Sequence, residues 1–376
     1  MILLGVAALA SLLLAAALAR AMIAAGVSDA PDHARKAHST PTPTSGGLAV
    51  GAALGLSFAG LAGAAAVSWG PRLPSEALAH CAWVLGAAFA ALAIGAADDM
   101  RPLGPRLKFG LLTAIALGFA LLAAHARYFV LGPGVIRDVG VIVGVLGSAL
   151  WVFTLTNTVN FMDGANGLSM GCTAIGLLGL GAASGLAGAW HVVALCVLGA
   201  AALAGFLIWN YPHGKLFAGD AGSLFAGTLA ALASLVAVAD GGLSPLVPPV
   251  LFFPLLADVL LTMLWRVRQR RPLLQPHADH VFQIALRAGW SHGRVALVYW
   301  LVSLHCAALG VLAGLGPMAA ARWELQAPVS APLLGPGLWL ATLAPWIVLA
   351  SLAVLSIRIA RQVRAYAAAR GLIAPG

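Results

Sequence analysis

Apolar runs of roughly twenty residues follow one another along the whole chain. They lie near 2–25, 47–68, 76–97, 107–125, 139–157, 167–186, 189–209, 222–240, 245–265, 294–316 and 334–357. A helix needs about 20 such residues to cross the hydrocarbon core of a bilayer. Lipid offers no partner for backbone N–H and C=O groups, so only helices and closed barrels can cross it. A barrel requires alternating segments of about ten residues, whereas these runs are continuous. A water-soluble fold fails on charge, because 9% of the 376 residues are charged against about 25% in soluble domains. The runs therefore predict an all-α polytopic membrane protein with about 11 transmembrane helices. They form a single integral membrane domain over residues 1–376. The opening run, MILLGVAALASLLLAAALARAMIAAG, lacks a basic start and reads as a first span rather than a cleaved leader. Cys81, Cys172, Cys196 and Cys306 fall in or beside apolar runs with no CxxC spacing, and read as packing residues.

Charge orients the bundle. The formal net charge is +9, and in a membrane protein basic residues mark cytoplasmic loops rather than a nucleic-acid surface. Of the 21 Lys and Arg residues, only Arg72, Arg127, Arg137 and Arg322 fall in one set of alternate loops. The other set, which includes Arg35, Lys36, Arg101, Lys108, Lys215 and Arg266, is thus cytoplasmic. An odd number of spans then places the N-terminus outside and the C-terminus in the cytoplasm.

Nearly every polar cluster falls on that cytoplasmic side. They are RKAHSTPTPTSGG (35–47), DDMRPLGPRLK (98–108), NTVNFMDGANG (157–167), GKLFAGDAGS (214–223) and PHADHVFQ (276–283). Five separated clusters at one face predict one composite site, built from loops 28–46, 98–108, 157–167, 210–223 and 266–293. A secondary transporter or lipid flippase is the competing class. It would place ionisable groups at mid-membrane on broken helices, and only Asp258 lies clearly within a span.

Each cluster has its own chemistry. The adjacent carboxylates of Asp98 and Asp99 repel unless a cation or proton lies between them. They suit a divalent metal, a general base, or a merely solvated helix end. Lys108 could grip a phosphate or snorkel to the interface. Asn157, Asn160 and Asp163 recur every three residues, which puts them on one helical face. Amide oxygens with a carboxylate suit Mg²⁺, and a capped turn is the plainer alternative. Asp220 opens a span where backbone N–H groups favour phosphate, with Lys215 just before it. His277, Asp279 and His280 follow RVRQRRPLLQ and fit a polyphosphate. Lys36 and His38 could reach phosphate from a loop stiffened by Pro41 and Pro43.

These clusters, in this order, resemble the polyprenyl-phosphate N-acetylhexosamine-1-phosphate transferase family (glycosyltransferase family 4). Within the O-antigen/common-antigen initiating type, the stretch HADHVFQIALRAGWSH looks closest to O-antigen initiators that use modified hexosamines such as FucNAc or QuiNAc. The resemblance covers residues from about 30 to 295. It implies transfer of a hexosamine 1-phosphate from a UDP-sugar to undecaprenyl or another polyprenyl phosphate, releasing UMP. It also implies Mg²⁺, or Mn²⁺ as substitute, and a multi-pass location in the bacterial inner membrane. The pathways implied are O-antigen lipopolysaccharide synthesis and cell-wall biogenesis, and a homodimer is compatible with family habit. By the same resemblance, Asp220 and Asn160 look like metal ligands. Asp98, Asp99 and Asp163 look catalytic. Lys36, His38, Lys108, Asn157, Asn166, Lys215, His277 and His280 look like substrate contacts. Where the common-antigen type carries H-x-H-H, this chain has HVFQ, with Phe282 and Gln283 in place of histidines. An apolar Phe282 suits a 6-deoxy sugar edge, and a loop-packing residue that touches no substrate is the equal alternative.

Overall fold

The computed structural model describes residues 1–26, 28–29, 42–67, 75–132, 135–273, 275, 277–326 and 336–372. Thirteen helices are described: α1 (Ile2–Ala25), α2 (Gly46–Val67), α3 (Ser75–Met100), α4 (Pro105–Leu122), α5 (Gly140–Phe161), α6 (Leu168–Ala187), α7 (Trp190–Asn210), α8 (Gly219–Gly241), α9 (Val247–Leu251), α10 (Phe253–Arg268), α11 (Val281–Arg287), α12 (His292–Gln326) and α13 (Pro336–Ala369). Ten of them contain a stretch long and apolar enough to cross a membrane. One short antiparallel pair joins Ser28–Asp29 to Thr42–Pro43, and a hairpin pairs Tyr128–Gly132 with Val135–Asp138.

The apolar run at 245–265 departs from the expectation of one continuous span. It is two helices, α9 and α10, interrupted at Phe252. Pro254 is the physical reason, because proline has no N–H to give the carbonyl one turn back and its ring crowds that turn. The Phe252 N–H reaches back to the Pro248 carbonyl at 3.1 Å, and the Leu256 N–H resumes the ladder on the Phe252 carbonyl at 3.2 Å.

α8 is the axis of the bundle. Every residue from Ala221 to Ala237 is buried, and α2, α3, α5, α6 and α7 all pack on it. The sequence GDAGSLFAGTLAALASLVAVADG explains this, since small side chains let several helices approach one backbone. The lipid-side helices behave oppositely: α1 and α13 bury few of their apolar residues within the protein, as expected where the solvent is hydrocarbon. All four cysteines are buried and free.

Short connections alternate the helix directions, so one end of the bundle collects the C-termini of α3, α5, α7 and α10. The N-termini of α4, α6, α8 and α12 meet them there. The segment before α2 is stitched to the segment before α8. Phe217 N–H donates to the Pro43 carbonyl at 2.8 Å, Gly46 N–H to the Phe217 carbonyl and Gly47 N–H to the Ala218 carbonyl, both at 3.0 Å.

Candidate active site

The last turn of α3 delivers two carboxylates with different tasks. Both oxygens of Asp99 accept from the start of α8, at 2.9 Å from Asp220 N–H and 3.0 Å from Ala221 N–H. The first N–H groups of a helix have no partner within it, and Asp99 supplies one from a neighbouring helix. Its carboxylate is therefore committed to holding α8 in place. Asp98 turns the other way. Its Oδ1 accepts from Leu103 N–H at 2.5 Å, and its Oδ2 accepts from the Lys108 ammonium at 3.0 Å.

Lys108, one turn into α4, also donates to Asp220. One ammonium thus bridges two carboxylates from α3 and α8. Asn160, in the last turn of α5, completes the group. Its amide nitrogen donates to Asp220 Oδ1 at 2.9 Å and to Ser223 Oγ at 2.8 Å. Four helices contribute one side chain each to a cluster around Asp220.

Close backbone approach makes this geometry possible. At Gly95, one turn before Asp98 and Asp99, an added Cβ would stand 2.3 Å from the Asp220 carbonyl oxygen and 2.4 Å from the Ala221 nitrogen. Gly219 has φ +68°, and a Cβ there would stand 2.5 Å from Asp99 Oδ2. Neither position has room for a side chain, and Gly219 also needs the left-handed conformation that glycine adopts without cost.

Asp163 lies just past the end of α5 and receives the Ser169 hydroxyl. Burial pushes its carboxyl up to about 7, with the charges of Asp220 and Asp99 adding to the effect and the Ser169 hydrogen bond opposing it. Asn166 stands on the same loop. Its backbone N–H donates to His292 Nδ1 at 3.2 Å and its side-chain amide to the Pro212 carbonyl at 2.9 Å.

The other sequence candidates occupy different surroundings. Asn157 is buried and donates to the Phe153 carbonyl of its own helix at 2.7 Å, while its Oδ1 has no partner. Lys215 is exposed, with its ammonium 6.0 Å from the centre of the Trp209 ring. The His277 and His280 rings lie 5.1 Å apart, tilted by 31°, and His280 is buried within 3.3 Å of Asp258. Burial, reinforced by the Arg266 charge, lowers the His277 pKa from 6.5 to about 4. Lys36 and His38 lie outside the described residues, as do Arg35 and Arg72.

Several residues at this end escaped the sequence reading. Asn210 Oδ1 accepts from Gly167 N–H at 2.6 Å, and its amide donates to the Leu216 carbonyl at 2.8 Å, joining the 162–167 and 214–219 loops. Its signal was available, since it is an asparagine at the seam of an apolar run, like Asn157 and Asn160. His292 carried no such signal. Asp279, read in the sequence with His277 and His280 as a polyphosphate contact, is instead held in a buried ion pair with Arg266. Phe282 has no exposed surface and packs on the 160s loop, where a Cβ on Gly164 would meet its ring at 3.0 Å. It is a packing residue, and the expected apolar edge for a sugar is not presented to solvent.

Among the described residues, no three His, Cys, Asp or Glu side chains are grouped to hold a metal. Mg²⁺ does not require such a cage, because it binds through one or two carboxylates, with water and substrate phosphates completing its shell. The Asp98–Asp220 pair already gathers around a cation, the Lys108 ammonium, so the donor set fits a divalent ion bound together with phosphates.

Residues 81–238 match the family described as Glycosyl transferase family 4. The chain is 31% identical over 300 residues to a decaprenyl-phosphate N-acetylglucosaminephosphotransferase of Mycobacterium tuberculosis (strain ATCC 25618 / H37Rv), covering 71% of each protein. It is 26% identical over 286 residues to a probable undecaprenyl-phosphate N-acetylglucosaminyl 1-phosphate transferase of Bacillus subtilis (strain 168), covering 75% of this chain and 76% of the relative. A phospho-N-acetylmuramoyl-pentapeptide-transferase of Rubrobacter xylanophilus is 29% identical over 195 residues, which is 51% of this chain and 56% of that protein.

Proposed function

The chain belongs to glycosyl transferase family 4 and is a phosphoglycosyltransferase of the membrane, and from that premise we propose that it moves an N-acetylhexosamine 1-phosphate from a UDP-sugar to a polyprenyl phosphate, releasing UMP. The observation that carries this reading is the convergence of Asp98, Lys108, Asn160 and Asp220 at one end of the bundle. We assign that end to the cytoplasmic face, where a water-soluble nucleotide sugar can meet the phosphate of a membrane lipid.

In-line displacement at phosphorus needs little covalent chemistry from the protein. It needs the diphosphate neutralised, the nucleophile positioned and its oxygen kept unprotonated. Lys108 supplies a fixed positive charge between two carboxylates. Asp98, held by Leu103 N–H and Lys108, is placed to accept a proton from the lipid phosphate. Asp99 holds the first turn of α8 so that Asp220 faces Asn160. Asp220 and Asn160 would hold Mg²⁺, which when bound neutralises charge on the diphosphate. Asp163 and Asn166, on the loop next to the cluster, face the donor in this reading, and His277 and His280 lie beyond them. The sequence HADHVFQIALRAGWSH supports an O-antigen-initiating role as the finer assignment.

The test is a product assay. Purified protein in detergent is mixed with undecaprenyl phosphate, Mg²⁺ and a panel of UDP-sugars, and UMP is measured. Release of UMP with matching gain of a lipid-linked sugar diphosphate is expected for at least one UDP-N-acetylhexosamine. Absence of UMP across the panel and with decaprenyl phosphate refutes the reading.

A further inference from the structure

Asp258 is a buried carboxylate inside α10 that takes no part in the cluster around Asp220. Its two oxygens collect donors from three helices. Oδ1 accepts from Val281 N–H at 2.9 Å and from the Thr262 hydroxyl at 3.2 Å, with His280 Nδ1 at 3.3 Å. Oδ2 accepts from the Tyr299 hydroxyl of α12 at 2.6 Å and from Phe282 N–H at 3.2 Å. A fourth helix joins through Thr262, whose hydroxyl oxygen accepts from Arg364 of α13 at 2.9 Å. A carboxylate in an apolar setting is costly unless its lone pairs are filled, and here they are. The same contacts fix the backbone from 280 to 282, the C-terminal end of the last polar loop.

Two neighbouring residues of α12 then link that loop to another. Tyr299 holds the last loop through Asp258. Trp300 holds the 162–167 loop, with its indole N–H donating to the Gly167 carbonyl at 2.9 Å and its ring 4.6 Å from that of Tyr211. Phe282 closes the circuit by packing its buried ring against Gly164. The loop bearing Asp163 and Asn166 and the loop bearing His277 and His280 are thus set relative to one another by α12. None of these contacts reaches Asp98 or Lys108.

We infer that Asp258, Tyr299 and Trp300 are positioning residues for the donor half of the reaction, holding the two loops in register against each other. This rests on the reading of the site given above. Loosening the register displaces groups that face the nucleotide sugar and leaves the lipid-phosphate side, built on α3 and α4, unchanged. A general packing role would alter both substrates alike.

The decisive variant is Tyr299→Phe, which keeps the ring and removes one hydroxyl. We expect KM for the UDP-sugar to rise about tenfold, as loss of one buried hydrogen bond to a charged group allows. KM for undecaprenyl phosphate should stay within twofold. Trp300→Phe should show the same split. No change in either KM, or an equal rise in both, overturns the inference. A second measurement is independent of turnover and of the substrate assignment. Hydrogen–deuterium exchange of wild type and Tyr299→Phe, each in detergent, should show faster exchange in peptides covering 162–167 and 277–287, with 98–108 unchanged. Unchanged exchange in the first two segments overturns the inference even if the protein is active. A wild type that releases no UMP refutes the functional reading alone and leaves the exchange result to decide this one. If Tyr299→Phe does not fold, Trp300→Phe is read by the same exchange criterion.

Discussion

Substitution of Gly95 by alanine adds one methyl group in the seam between α3 and α8, and its effect follows from distances. The new Cβ would stand 2.3 Å from the Asp220 carbonyl oxygen and 2.4 Å from both the Asp220 carbonyl carbon and the Ala221 nitrogen. All three are backbone atoms, so no side-chain rotation relieves the clash. Ordinary contact begins at 3.4 Å, so the two helices must separate by about 1 Å in an interior packed like an organic crystal. Asp220 N–H and Ala221 N–H donate to Asp99 at 2.9 and 3.0 Å. The same displacement carries them to about 4 Å, beyond hydrogen-bond range. Asp220 then shifts relative to Lys108 and Asn160, which reside on other helices. A misplacement of about 1 Å costs on the order of 100-fold in rate, and overpacking costs about 1–3 kcal/mol in stability.

The assay is initial-rate UMP release from purified Gly95→Ala, with thermal unfolding in the same detergent. We expect kcat/KM to fall about 100-fold in a protein that still melts cooperatively at a modestly lower temperature. Gly86→Ala is the control, because it lies on the same helix with nothing within 4 Å of the added Cβ. It should retain full activity, and alanine's better helix propensity should leave stability equal or higher. A Gly95→Ala enzyme with more than a third of wild-type kcat/KM refutes the argument that the α3–α8 approach sets the site.

Other outcomes follow from the same geometry. Asp220→Asn should abolish turnover while leaving the melting temperature close to wild type, and EDTA should abolish activity that Mg²⁺ or Mn²⁺ restores; full activity in EDTA rejects a metal-dependent reaction. His277 is neutral in the fold down to about pH 4, because burial disfavours its charge, whereas the unfolded chain takes up its proton near 6.5. The unfolded state therefore binds more protons between those values, so stability is fully present above about 6.5 and declines as pH falls toward 4. Melting curves of His277→Asn across that window should be flatter than wild type, and parallel curves would contradict this. Phe282→Ala should cost about 3–5 kcal/mol, as expected for a fully buried aromatic ring. Phe282→His should destabilise the protein without changing the preference between UDP-GlcNAc and a UDP-6-deoxyhexosamine; a changed preference in a stable protein would return Phe282 to the substrate.

What the sequence made legible, and what it did not, divides along physical lines. Apolar runs announce spans because lipid enforces a length, and the ten long apolar helices lie where those runs lie. The run at 245–265 read as one span because hydropathy is blind to a missing N–H, although Pro254 was in plain view. Carboxylates at helix ends were visible as candidates for the same reason: charge at a membrane seam is costly and therefore rare. Their division of labour was hidden. Asp98 and Asp99 are adjacent in sequence, but successive residues on a helix point about 100° apart. One reaches Lys108 and the other caps a helix that begins more than a hundred residues later. That difference is set by how closely α3 approaches α8, and the sequence records it only as a glycine, Gly95, in a chain with 44 of them. Tyr299 and Trp300 were hidden more completely, since aromatic residues in an apolar run look like any other packing. Their meaning lies in which polar atom each reaches: a carboxylate in α10 for the one, a loop carbonyl for the other. The chemical groups at the centre of this site are therefore written in the sequence as polar exceptions. The parts that hold them to within an ångström are written as glycines and aromatics, and only packing distinguishes those from the rest of the bundle.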